Sequence, residues 1–569
     1  MDYKRFALIA ALAIVSYLLL LEWNQDYPAS PAPAPAPITS SETSRPVPSS
    51  DVPAVVSETG SQAPALDLPQ PPASASSPAE ENGRQSSSLI TVTTPVHIVA
   101  IDLNGGDIVG VSLPQYPTTL ETPEDPLVLL RNDARGIYIA QSGLIGRDGP
   151  DATADGRPVY QSARQHYQLD DAEGELSIDL TFTDRNQVNI TKRFTFHGDD
   201  YLIGVQHLVD NRSNMPWNGN LFGQIKRDGL PDPSTAGGVG VRAYLGAALT
   251  TNDDPYKKID FDDIDDGPSK DVVDGGWIVF SQHYFLSGWI PDQGLTHTYT
   301  TRKNASGDYI MGFVSPEFSV APAETASFDA SFYAGPKDQY RLEEISPNLG
   351  LTIDYGWLWF IASPIFWLLT KIDSVVGNYG WSIIFLTIIV KLLFSYLSAA
   401  SYRSMAKMRR LGPQIARLKD QYGEDKQKLM QAQMELWRKE KVNPMGGCLP
   451  MLLQMPVLLA LYWVLNESVE LRHAPFILWY RDLSVMDPYF VLPLIMGATM
   501  FISQTLTPMT TMDPVQAKVM KFMPIIFTIF FLWFPAGLVL YWLVGNVFNI
   551  FQQWYINKKV DESYAAKGS

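Results

Sequence analysis

Lys391 is the residue in this sequence most able to do chemistry, because it is a charge set well inside an apolar run, Trp381–Ala400. Arg403 marks the end of that run about 12 residues on, roughly 18 Å along a helix, further than a lysine stem reaches through hydrocarbon. An ammonium near a bilayer midplane costs at least ~2.5 kcal/mol on insertion scales. Thr387, Lys391, Ser395, Ser398 and Tyr402 follow at steps of 4, 4, 3 and 4, which sets them on one helix face. A face polar from midplane to one end fits a wet groove open on that side and attractive to acidic groups; it does not fit a lysine facing lipid. Gln454 lies within another run, and Tyr541, Gly545 and Asn549 form a stripe on a third, beside Trp542 and Asn546. Each amide reads either as a groove wall or as a hydrogen-bonding link between helices. Phe530 reads as a lipid or packing contact.

The elements that must position these residues are apolar. After a first run, Phe6–Leu21, read as an uncleaved signal anchor, five more candidate spans follow: Trp381–Ala400, Leu449–Leu465, Tyr489–Leu506, Val519–Phe534 and Leu538–Trp554. Several fall short of the roughly 20 residues that cross a bilayer, so they must thin it or recruit their flanks. Between them, Arg403–Gly447 carries 11 basic and 5 acidic residues and is expected in the cytoplasm, as are the loop around Lys518 and Lys521 and the tail with Lys558, Lys559 and Lys567. Asn466–Pro488 has two basic residues against four acids and suits the outside. Six crossings then leave both termini cytoplasmic. Apolar residues from Met405 to Tyr422, and again at Leu429, Met434 and Trp437, predict a two-helix cytoplasmic hairpin over 402–442 that attracts anionic lipid or docks a ribosome or targeting factor.

The rest of the chain has another character. Of 569 residues with a net charge of −17, positions 24–353 account for −23 and positions 354–569 for +6. That balance argues against nucleic acid as the main partner. The single cysteine argues against a disulfide framework, a Cys-ligated zinc site and an iron–sulfur cluster. Pro28–Ser88 holds 13 prolines and no aromatic residue, so 24–88 reads as a disordered spacer. From Leu89 the pattern turns to period two: Leu176, Ile178, Leu180 and Phe182 alternate with polar neighbours, as do Tyr201, Ile203 and Val205, and Asn104-Gly105-Gly106 marks a turn. A large antiparallel β-sandwich over 89–345 is expected. Its histidines have no metal-ligand spacing, and Gly238–Ala243, a loose match to a dinucleotide loop, reads as a turn. Nothing names a catalytic pair, a cofactor or a metal. Positions 346–380, with Trp357, Trp359, Phe360, Phe366 and Trp367, read as a helix lying on the outer leaflet.

Several stretches together give the chain a family. Asp354-Tyr355-Gly356-Trp357-Leu358-Trp359-Phe360, Ser404-Met405-Ala406-Lys407-Met408-Arg409, Lys441-Val442-Asn443-Pro444-Met445-Gly446-Gly447-Cys448, Gln454-Met455-Pro456 and Phe530-Phe531-Leu532-Trp533-Phe534-Pro535 resemble the YidC membrane protein insertases of Gram-negative bacteria, over essentially the whole length. The resemblance implies an inner-membrane protein with a periplasmic β-supersandwich like that of sugar mutarotases, without established catalysis. It also implies a five-helix core over 381–569 whose hydrophilic groove is closed to the outside and open to cytoplasm and lipid. The charge usual at position 391 in that family is arginine; lysine replaces a planar fork by a point charge. Ser395-Tyr396 also stands where an aromatic-proline pair is common, which predicts a straighter helix.

On this reading the protein is an insertase and chaperone for newly made inner-membrane proteins, alone or with a Sec-type translocon. Lys391 attracts the acidic end of a client, and the apolar segment leaves sideways past Met455, Pro456 and Phe530. A solute transporter would need paired broken helices in repeated halves, which the sequence lacks. A tethered carbohydrate enzyme would leave the Lys391 face without a role.

Overall fold

The computed structural model describes residues 51, 53, 89–153, 156–230, 243–423, 425–440, 442, 449–506 and 514–568. The expected signal anchor, nearly all of the spacer, most of the Lys441–Cys448 stretch and of the glycine-rich loop at 238–243 lie outside the described residues.

Among the described residues, strands between Leu89 and Pro336 form two large sheets, of eleven and nine strands. Their pairing is antiparallel except where Thr91–Thr93 runs parallel to His166–Gln168. One continuous core draws on both, with Ile90, Val92, Val111 and Leu130 from the larger sheet and Ile178, Leu180, Phe194 and Val205 from the smaller. The alternation read from the sequence is the cause in strands such as Glu175–Thr183, Val188–His197 and Leu202–Asn211, which turn every second residue inward, whereas Ile278–Ser281 and Phe285–Pro291 are buried on both faces.

Some of the buried strand positions are polar, Lys192 and His207 among them. Lys192 faces the core on strand Val188–His197, with His207 directly opposite it on strand Leu202–Asn211. The Lys192 ammonium donates to the carbonyl oxygens of Gly105 (3.1 Å) and Ser142 (2.9 Å). Beside it, Arg157 pairs with Asp107 and with Asp151 (2.8 Å). Gly105 and Gly106 have positive φ, 79° and 62°, and any side chain there would overlap Arg157 or Lys192, so the turn needs both glycines.

Burial pushes the Lys192 ammonium down to about 7 from its ordinary 10.5, against the attraction of Asp107. A base whose pKa falls on folding binds fewer protons folded than unfolded between those two values, so stability rises with pH across that window. The stability of the outer domain, followed through its thermal midpoint, is therefore expected to climb from pH 7 to 9.5, the unfolding free energy rising by at most about 1.4 kcal/mol per pH unit. Lys192→Met should flatten the climb; a climb of equal slope in that variant would assign it elsewhere.

Beyond the sheets the chain is helical: α1 (Trp359–Val376), α2 (Tyr379–Leu393), α3 (Ser395–Arg410), α4 (Gly412–Tyr422), α5 (Lys426–Lys439), α6 (Leu449–Glu467), α7 (Val491–Thr505), α8 (Pro514–Phe530) and α9 (Ala536–Gly568). Among the described residues Gly356–Val376 is alone long and apolar enough to cross a membrane, and α2 with α3 passes as a bent pair. Ile365, Phe366 and Leu369 of α1 join the helical core while Trp357, Trp359 and Trp367 stay exposed. Helices α4 and α5 form a hairpin around Met408, Leu411, Ile415 and Val442. Pro413 in the first turn of α4 explains why that arm breaks at Leu411.

The two parts touch. Lys258 pairs with Asp354, the His283 ring meets the Asn466 carbonyl (2.8 Å), and Arg472 Nη2 donates to the Pro117 carbonyl (2.8 Å). The segment 466–488 thus lies on the side of the outer domain.

Candidate functional site: a lysine at a helix bend

The straight helix expected around Lys391 is not what forms. The axis turns by 64° between α2 and α3, at Phe394 (φ −88°, ψ 2°). Proline is not required, because a side chain from elsewhere supports the turn: Gln552 on α9 donates to the Ser395 carbonyl (2.9 Å). The bend sets Lys391 in the last turn of α2. There the negative end of the helix dipole favours a cation.

Around the ammonium the partners are neutral oxygens. Lys391 Nζ donates to Gln454 Oε1 on α6 (3.1 Å) and to Asn549 Oδ1 on α9 (3.2 Å). Among the described residues no carboxylate pairs with it. Gly545, one turn before Asn549, permits the approach, since a Cβ there would stand 3.0 Å from Lys391 Cε. Thr387 lies one turn back, and its hydroxyl is spent on its own helix, donating to the Ile383 carbonyl (2.6 Å). Gln454 Nε2 is buried and meets no hydrogen-bond acceptor among the described residues, so a second donor stands beside the ammonium.

The structure distributes the other sequence-derived residues. Ser395, Ser398 and Tyr402 continue along α3 beyond the bend, Ser398 buried and the others half-buried. Tyr541 is buried on α9 within the helical core. Asn546 Nδ2 reaches Thr499 on α7 (3.4 Å), the helix-linking alternative, whereas Asn549 takes the lysine. Trp542 packs against Phe527 and Phe531, ring centres 5.9 and 5.0 Å away. Met455 and Phe530 are exposed, and Pro456 is half-buried inside α6. Gln552 carried no signal in the sequence beyond being an amide one turn below Asn549.

One end of the site is capped. Segment 473–490 crosses the N-terminal ends of α2 and α9, where Ala536 N donates to Val485 O (2.8 Å), Gly537 N to Leu483 O (2.9 Å) and Asn378 Nδ2 to Pro475 O (3.0 Å). The Phe476 ring lies on Gly380, leaving no room for a side chain there. The other end is basic: a cleft of about 360 Å³ between α3 and α9 is lined by Arg403, Lys407 and Lys559.

The comparisons with known proteins cover both parts. The family model described as the YidC periplasmic domain matches residues 89–368, and that described as the 60Kd inner membrane protein matches 371–563. A membrane protein insertase YidC of Pseudomonas fluorescens is 53% identical over 566 residues, 99% of each chain. Those of Pseudomonas putida and Azotobacter vinelandii are 53% and 52% identical over 562 and 563 residues, again 99% of each chain.

Proposed function

The chain belongs to the YidC family of membrane protein insertases, an inner-membrane protein with a periplasmic β-rich domain and a helical C-terminal part; from that premise we propose that it draws clients in through the Lys391 site. The observation that carries this reading is an ammonium held by two neutral carbonyl oxygens, with no carboxylate beside it among the described residues. Structural ion pairs neutralise each other; a site that leaves its positive charge uncompensated is arranged for an acid brought by something else.

The hydrophilic, acidic end of a client enters from the cytoplasm, is held at Lys391 and Gln454, and local water shortens the apolar barrier. The membrane potential adds about 2.3 kcal/mol per charge per 100 mV in favour of moving acidic tails outward. The apolar segment then slides past Met455, Pro456 and Phe530 into lipid, driven by burial at ~25 cal/mol per Å². Thr387, Ser395, Ser398, Tyr402, Tyr541, Trp542 and Asn546 complete the groove and its frame.

In this reading the chain crosses six times with both termini cytoplasmic, the two sheets form the supersandwich, and the exposed tryptophans of α1 rest on the outer leaflet. The hairpin meets anionic lipid, a ribosome or a targeting factor, a Sec-type translocon assists some clients, and no step is enzymatic or needs a cofactor. The purified protein alone in liposomes is expected to protect a short single-span precursor from protease above the level of empty liposomes. No protection of a competent precursor would make it a chaperone that needs a translocon.

A further inference from the structure

We propose that the larger sheet carries a binding site for an acidic residue of an extended peptide, and that Asp51 of the chain's own proline-rich spacer occupies it here. The contacts are unusually complete for a single residue. Lys226 Nζ lies 2.6 Å from one Asp51 carboxylate oxygen and Asn304 Nδ2 donates to the other (2.9 Å). The Asp51 carbonyl accepts from Arg302 Nη2 (2.6 Å) and Gln224 Nε2 (2.9 Å). Side chain and main chain are read together, which selects an aspartate within a peptide over a free acid.

The site is built rather than incidental. Gln224 and Lys226 share one face of strand Trp217–Arg227, and Lys226 and Arg302 flank Ile310 across three adjacent strands. Lys226 is also steadied by Asp308 (3.3 Å), and Gln224 is held by Gln141 Oε1 (2.9 Å), itself bonded to Asp107 in the buried charge cluster. Such support fixes the donors before a ligand arrives. Burial pushes the Asp51 carboxyl up, but the bonds from Lys226 and Asn304 and the charges of Lys226 and Arg302 outweigh it and hold it below the ordinary aspartate value.

The niche is cationic within a region whose net charge is −23, so it is a local exception and not part of a basic surface. Being tethered, Asp51 competes at an effective concentration on the order of mM. A second acidic peptide should therefore enter only when Asp51 is removed or when the peptide is abundant.

The test uses the full chain in nanodiscs and a fluorescent peptide copying residues 47–55, read by anisotropy. Asp51→Ala is expected to bind it at least about tenfold more tightly than the unaltered protein, and an Asn version of the peptide should bind at least about tenfold less. Adding Lys226→Met, or Arg302→Ala with Asn304→Ala if the former unfolds, should abolish the gain. Equal binding with and without Asp51, or binding indifferent to the peptide's acid and to the niche substitutions, would overturn the proposal whatever the insertion activity.

Discussion

Lys391→Glu is expected to cut insertion of precursors with acidic N-terminal tails by more than about tenfold relative to matched precursors whose tail acids are changed to Asn and Gln. Two opposite charges 4 Å apart attract by about 4 kcal/mol at an effective dielectric constant near 20, and reversal turns that into repulsion. Hydration of the proposed groove would reduce the figure, yet tenfold needs only about 1.4 kcal/mol. Lys391→Met removes the attraction without repulsion and should fall between, and Lys391→Arg should stay near the unaltered protein, since Gln454 Oε1 and Asn549 Oδ1 offer two acceptors to a guanidinium. The ratio between the two precursors is the decisive readout, because a variant that merely folds poorly loses both alike. If Lys391→Glu lowers both equally, the electrostatic part of the mechanism is wrong.

The second large effect concerns the capped end. Asp487 is 1% exposed and accepts four hydrogen bonds, from Trp479 Nε1 (3.2 Å), Tyr480 OH (3.1 Å), Tyr489 N (3.0 Å) and Leu492 N (2.8 Å). It ties segment 473–490 to the first turn of α7 and holds Phe490 at φ 55°, a conformation unfavourable for a residue with a Cβ. Asp487→Ala leaves the buried Tyr480 hydroxyl and Leu492 N–H without that acceptor and should destabilise the helical part by about 2–5 kcal/mol. Protease added from the outer side should then cut within 473–490, where the unaltered protein resists. Gly380→Leu, which drives Phe476 off α2, should expose the same segment by a separate route. An unchanged melting midpoint with an uncut segment would show that Asp487 does not hold the cap.

Much of the architecture follows from local pattern. The helices α2, α6, α7, α8 and α9 fall on the apolar runs read at 381–554, because a long apolar stretch without turn residues has few other ways to satisfy its backbone. The strands of the outer domain follow period-two alternation, down to Ile178, Leu180, Ile203 and Val205 facing the core. The family was legible in short motifs, and Lys391 stood out because a charge inside an apolar run needs a reason.

Local composition and periodicity thus suffice to say which segments are helix or strand, and that Lys391 must be solvated or paired. The groups it meets depend on how distant elements pack. Gln552 comes from a segment more than 150 positions away and supports the bend that a missing proline argued against. Asn549 rather than Asn546 meets the lysine, since neighbouring positions on a helix face different partners and the packing of α9 against α2 and α7 selects between them. Asp51, in a stretch whose composition argued only for a spacer, finds its four partners on strands and a loop far along the chain. Periodicity and propensity act over a few residues, whereas hydrogen-bond partners across a fold depend on how distant elements cross, which local sequence does not encode.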